Sequence, residues 1–177
     1  MQFTNIFDKL LSSQTAVKIM RFLAHTKSQM TGREIAKFCG VSHMQAYRVL
    51  NEFEKQGMVV RKSVGRSYLY SLNDKNIIVR MFIKDIFKKE NKLLGNMIKI
   101  VLNGIKKKVI TAIVFGSTAH GKERADSDID LFVLTDRKSK RTVENALYDA
   151  ELAVFEQTGN RLSALVVSDA EVRKKMK

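Results

Sequence analysis

Apolar positions in the first 57 residues recur with the period of a helix. Within Gln14–His25, Val17, Ile19, Met20, Phe22 and Leu23 mark a first amphipathic helix. The stretch 31–57, TGREIAKFCGVSHMQAYRVLNEFEKQG, divides at Gly40 into two more. Thr31, with Glu34 three positions on, forms a capping box ahead of Ile35, Ala36 and Phe38. Ser42 caps the following helix, in which Ala46, Val49, Leu50 and Phe53 fall at i, i+3, i+4 and i+7, one buried stripe. Gly57 stops it. Residues 58–72, MVVRKSVGRSYLYSL, then read as a hairpin with Gly65 in its turn and Lys62 and Arg66 near its tip. In 74–108 the helical period returns at Val79, Phe82, Ile83 and Ile86, then at Leu93, Leu94, Met97, Val101, Leu102 and Ile105. That segment reads as one long helix, or as two broken near Asn91 or Gly95. KVITAIVFGS is a β-branched strand running into Gly116–Ser117 and a short helix, and DIDLFVL opens a second strand. A helix around 140–157, a strand over 161–167 and a helix starting at Asp169 complete the pattern.

The chemistry concentrates in 116–133, GSTAHGKERADSDIDLFV. Strand alternation points Asp128 and Asp130 to one face, with roughly 6–7 Å between their Cα atoms. Two carboxylates so placed suit Mg²⁺ (or Mn²⁺), which favours a few carboxylates completed by substrate phosphate oxygens. The strand-to-helix junction at Gly116 and Ser117 offers backbone N–H groups and a hydroxyl to an anion. Phosphate cradle and metal carboxylates together point to phosphoryl or nucleotidyl transfer. A calcium loop beginning at Asp126, Asp128 and Asp130 is excluded, because its sixth and twelfth positions hold Leu131 and Arg137 in place of Gly and Glu.

Charge adds a second theme. The chain carries 32 Lys+Arg against 18 Asp+Glu, a formal +14. Residues 1–108 hold 21 basic and 7 acidic side chains, whereas 109–177 hold 11 of each. The whole excess therefore lies in the first part, which argues for a polyanion partner bound there. On the second helix of the 31–57 pair, His43, Gln45, Tyr47 and Arg48 lie off the buried stripe near the N-terminal end, where a recognition helix meets base edges.

Two resemblances follow from these residues. Helix, turn, helix and basic hairpin over about 14–73 resemble the winged helix-turn-helix of many prokaryotic transcription regulators. This implies double-stranded DNA as partner, with His43, Gln45, Tyr47, Arg48, Lys62 and Arg66 as contacts. Residues Gly116, Ser117, Ala119, Gly121, Ser127, Asp128, Ile129 and Asp130 resemble the minimal nucleotidyltransferases of the polymerase-β-like superfamily. That likeness implies binding of an NTP with Mg²⁺ and transfer of a nucleoside monophosphate to a protein or nucleic-acid acceptor. Asp128 and Asp130 would be the catalytic and metal-holding residues, and Gly116, Ser117, Lys122 and Arg124 the nucleotide-binding ones. Such domains usually place a third carboxylate on a later strand, where 161–167 has no acid and Ser163 stands instead; His120 occupies a position where relatives often carry Arg. Three readings result: a DNA-tethered nucleotidyltransferase; a regulator whose degenerate nucleotidyltransferase domain serves sensing or assembly; and an antitoxin-like protein acting on a toxin partner.

The expected fold class is α+β. A winged helix-turn-helix occupies 1–73, a helical linker and dimerisation segment 74–108, and a nucleotidyltransferase-type mixed sheet flanked by helices 109–177. A homodimer would suit two DNA half-sites. The N-terminal MQFTNIFDKLLS is short and amphipathic, without the charged and apolar regions of a secretory leader. No apolar run reaches the roughly 18–20 residues that span a bilayer, so no membrane is expected. Cys39 stands alone, which excludes an internal disulfide and points to the cytoplasm. His25, His43 and His120 are scattered without metal-ligand spacing, so no zinc site is expected.

Overall fold

A computed structural model describes residues 7–8 and 11–175. Most of the amphipathic N-terminal stretch therefore lies outside the described residues. The chain divides into two compact units between Lys92 and Leu93.

The first unit begins with α1 (Gln14–His25), whose Ser13 hydroxyl accepts the Ala16 amide at 3.1 Å. β1 (Met30–Thr31) leads into α2 (Gly32–Cys39), and α3 (His43–Lys55) follows. Both expected caps form. Thr31 and Glu34 bond each other's backbone amides, as do Ser42 and Gln45. The turn between the helices needs the left-handed Gly40, at φ 62°, a conformation cheap only for glycine. β2 (Val59–Val64) and β3 (Ser67–Leu72) form the hairpin, and β1 pairs with β3, giving an antiparallel sheet of order β1-β3-β2. Ile19, Met20, Ile35, Ala46, Leu50 and Phe53 form the core where the three helices meet.

Residues 74–92 belong to this same body. Asn76 Oδ1 accepts the amides of Ile78 and Val79 at 2.9 and 3.2 Å and starts a π-helical turn, Val79–Ile83, that runs into α4 (Lys84–Glu90). Val79, Ile83 and Phe87 are buried in the first core. Arg21 of α1 donates two hydrogen bonds to Glu90, at 2.7 and 2.8 Å. The helical segment breaks at Asn91–Lys92, the first of the two breaks considered from sequence.

The second unit opens with α5 (Leu93–Val101) and a 3₁₀ turn, Lys106–Lys108. Val101 and Ile105 enter the second core, so the segment read as a linker supplies apolar side chains to both units. β4 (Val109–Phe115), the one-turn α6 (Gly116–Ala119), β5 (Ile129–Thr135), α7 (Lys140–Thr158), β6 (Leu162–Ser168) and α8 (Asp169–Lys175) follow. β5 pairs antiparallel with β4 and parallel with β6, α7 being the crossover, so the sheet is mixed and β5 is central. Alternation along β5 divides its faces. Ile129, Leu131, Val133 and Thr135 are buried beneath α5 and α7, and Asp130, Phe132 and Leu134 look the other way. Thr135 satisfies its buried hydroxyl on the Lys108 carbonyl at 2.5 Å. No helix among the described residues is long and apolar enough to cross a membrane.

Candidate functional site

The register of the second sheet assembles the site. Phe115 pairs with Asp130 across β4 and β5, so the chain leaves β4 at Gly116 directly beside the Asp130 side chain. Gly116 adopts φ 72°, and a Cβ there would collide with the Asp130 carboxylate. Two reasons thus require glycine: the left-handed backbone, and a carboxylate packed against the turn where a side chain would stand. Asp130 is half-buried and Asp128 exposed. β5 begins one residue later than the sequence suggests, at Ile129, and Asp128 is the last residue of the preceding loop.

That loop is held by hydrogen bonds the sequence did not announce. Thr118 donates its hydroxyl to the Asp128 carbonyl at 3.3 Å. Asn160 reaches back from the end of α7 and donates to the carbonyls of Ala125 and Ser127, both at 2.9 Å. The Ser127 hydroxyl accepts the Arg124 amide at 2.8 Å, and the Ile129 amide donates to the Arg161 carbonyl at 2.8 Å. Thr118, Ser127 and Asn160 are therefore positioning residues for Asp128. The available clue was Asn160 directly after the helix-ending Gly159, a pattern too common to single out.

Around Gly116 and Ser117 the backbone folds into one helical turn only. The amides of His120 and Lys122 both return to the Ser117 carbonyl, at 3.1 and 3.0 Å. The His120 ring Nδ1 stands 2.8 Å from the Gly116 carbonyl, which occupies the imidazole within the turn. Lys122 and Arg124 are exposed on the loop between α6 and β5. Asp128, Asp130, Gly116 and Ser117 are thus brought together, whereas Lys122 and Arg124 flank them with their side chains in solvent.

A metal ion in this place fits the donor set in a specific way. Among the described residues no three His, Cys, Asp or Glu side chains converge. Ser163, not an acid, pairs with Asp130 across β5 and β6. Two carboxylates, one of them exposed, suit Mg²⁺ or Mn²⁺ when substrate oxygens and water complete the coordination.

The first unit offers a separate surface. His43, Gln45, Tyr47 and Arg48 are all exposed on the N-terminal half of α3, and Lys62 and Arg66 on the hairpin. Between helix and hairpin lies a cleft of about 370 Å³ lined by Arg33, His43, Tyr47, Arg66, Tyr68 and Tyr70. Arg33 of α2 was not anticipated there. Gln45 has a structural duty, since its Oε1 accepts the Ser42 amide at 3.0 Å and only its amino group remains for a ligand. Arg61 lies over the Tyr68 ring at 4.6 Å and pairs with Glu54 at 3.1 Å, which stiffens the hairpin against the helix.

Comparison with known proteins agrees with this division. Residues 96–171 match the family described as "Polymerase beta, Nucleotidyltransferase", and residues 16–73 match "FaeA-like protein". No curated protein matches. Among solved structures, a predicted DNA-binding transcriptional regulator from E. coli is 19% identical, with a TM-score of 0.39 over 49% of this chain and 84% of that one. The adhesin competence repressor of Streptococcus pyogenes is 16% identical, with a TM-score of 0.40 over 55% and 76%. The S. aureus MepR protein, in a DNA complex, is 17% identical, with a TM-score of 0.36 over 54% and 85%. The chain joins an N-terminal winged helix-turn-helix domain to a C-terminal nucleotidyltransferase domain of the polymerase-β type.

Proposed function

We propose that the chain is a DNA-binding regulator whose second domain binds an NTP with Mg²⁺ (or Mn²⁺) and transfers its nucleoside monophosphate to an acceptor. The observation that carries the nucleotide reading is the packing of the Asp130 carboxylate against the left-handed Gly116. It sets the Asp130 carboxylate directly beside the turn that leads into Ser117. Asp128 and Asp130 would hold the metal, which when bound neutralises phosphate charge and polarises the reacting phosphorus. Ser117 and the backbone of the turn orient the phosphates, and Lys122 and Arg124 add positive charge from the loop. Titrating NTP–Mg²⁺ into wild-type protein and an Asp128→Ala/Asp130→Ala variant by calorimetry tests this. Binding by the wild type alone is expected, and equal heats from both would remove the pair from the site.

DNA binding rests on the exposed His43, Gln45, Tyr47 and Arg48 together with the basic hairpin residues Lys62 and Arg66. A homodimer would carry two such surfaces. The exposed Met81, Phe82 and Ile86 beside the winged domain supply an apolar stripe suited to that contact.

A second reading is favoured by Ser163. The position beside Asp130 lacks the third carboxylate on which two-metal transfer commonly leans. In that case the domain binds nucleotide without turnover, and serves as a sensor or as an assembly surface for a protein partner such as a toxin. Both readings expect nucleotide binding; labelled transfer separates them. A cytoplasmic location belongs to either.

A further inference from the structure

His120 closes the one-turn helix α6 by folding its ring back over the turn, with Nδ1 2.8 Å from the Gly116 carbonyl. A carbonyl oxygen can only accept, so Nδ1 carries a hydrogen and donates it. In the neutral ring Nε2 is then the bare acceptor, and it has no partner among the described residues. The imidazole is thus anchored at one nitrogen and free at the other.

Gly116 connects this ring to the metal carboxylates. It meets the Asp130 carboxylate on the side where a Cβ would stand, and it holds His120 through its carbonyl. Bond lengths then keep Nδ1 no farther than about 9 Å from that carboxylate. Among the elements near the ring, β4 and β5 pack on α6; β4 has no charged residue and β5 has Asp130 alone. The loop after α6 carries Lys122, Glu123, Arg124, Asp126 and Asp128. Lys122 and Arg124 are long, exposed side chains that lose rotamer freedom on gripping an anion, whereas His120 is already fixed.

We propose that His120 is a phosphate contact of the nucleotide site and acts in its protonated form. Nδ1 stays on the Gly116 carbonyl, and Nε2 takes a proton from solvent and donates it to a phosphate oxygen. The inference rests on the NTP–Mg²⁺ reading above and adds to that site a residue and a pH dependence. An NTP with one Mg²⁺ keeps a net negative charge, which favours an imidazolium over a neutral ring. Histidine is the side chain whose charge changes near neutrality. Binding therefore takes up a proton. By linkage, the gain in affinity is fully present in mildly acidic solution and is lost as pH rises through the ring's value in the complex.

The test measures NTP–Mg²⁺ affinity of the full chain by calorimetry between pH 6 and pH 8. Paired buffers of different ionisation enthalpy count the protons taken up. Wild type is compared with His120→Asn, whose side-chain amide can still donate to the Gly116 carbonyl but takes no proton; circular dichroism checks its fold. The nucleotide's own titration is common to both proteins and cancels in the comparison. The two should agree within about twofold at pH 8, where the wild-type ring is mostly neutral. The ratio of affinities at pH 6 and pH 8 should be about three- to tenfold larger for wild type. Wild type should also take up more protons per NTP at pH 7. Equal ratios for the two proteins overturn the proposal, as does binding by wild type without proton uptake. Wild type that binds no NTP at any pH removes the nucleotide reading beneath it as well.

Discussion

Gly116 is where backbone conformation and site chemistry meet. An alanine there meets both the positive φ and the Asp130 carboxylate. Strain of this kind costs roughly 1–3 kcal/mol. Gly116→Ala is expected to lower the melting temperature of the second unit and to weaken NTP–Mg²⁺ binding together, as read by calorimetry; an unchanged affinity would separate the turn from the site. A second residue-scale prediction concerns Glu171. Its carboxylate accepts from Lys140 Nζ at 2.7 and 2.9 Å and from the Ser168 amide and hydroxyl at 2.8 and 2.7 Å. The Lys140 ammonium first, then the Ser168 donors, hold it down to about 2 from an ordinary 4.5. A carboxylate with a depressed folded value contributes stability that is full above the unfolded value and is lost on acidification. Thermal stability of the second unit should therefore fall between about pH 4.5 and pH 2. A Glu171→Gln variant should show a flatter dependence across that window, and parallel curves for the two proteins would contradict the assignment.

At the scale of elements, α3 and the hairpin carry the DNA expectations. Arg48→Ala should cost about 1–3 kcal/mol in a gel-shift titration if the guanidinium contacts a base edge. Lys62→Ala on the hairpin should weaken binding across sequences and reduce the salt slope by about one unit, the signature of a lost phosphate contact. The π-helical turn and α4 make a different point. Ile83 is fully buried in the first core, so Ile83→Ala should destabilise the first unit by about 2–5 kcal/mol. A connector lying outside the unit would show almost nothing in the same denaturant melt. Caps, stripes and strand alternation were legible from neighbours in sequence because each depends on residues a few positions apart. The faces onto which the two halves of 74–108 would fold were not legible, because an amphipathic stripe shows that a helix has a partner and not which one.

For the whole molecule, the uneven charge gains a sharper outline from the observed division. Residues 1–92 hold 17 basic and 7 acidic side chains, and 93–177 hold 15 and 11. The winged unit therefore carries the greater positive excess. DNA affinity of the full chain should fall steeply with added salt, while NTP–Mg²⁺ binding measured on the same samples should change far less. Equal salt slopes for the two ligands would argue against separate sites.

Sequence by itself determined the main helices and strands, the capping box at Thr31, the cap at Ser42, the glycine turns and the GS…SDID spacing, since all of these are local chemistry written within a few residues. It also marked Asp128 and Asp130 as a candidate pair from their spacing, although Asp128 lies in the loop that precedes β5. Only the tertiary structure decided that Gly116 must accommodate Asp130, that Ser163 is the neighbour on the third strand, and that Thr118 and Asn160 hold the loop. It also decided that Ile113, Phe132 and Leu165 share a sheet face outside the second core. Those facts depend on strand register and on the side of the sheet to which α7 returns, and these are set by contacts between residues tens of positions apart.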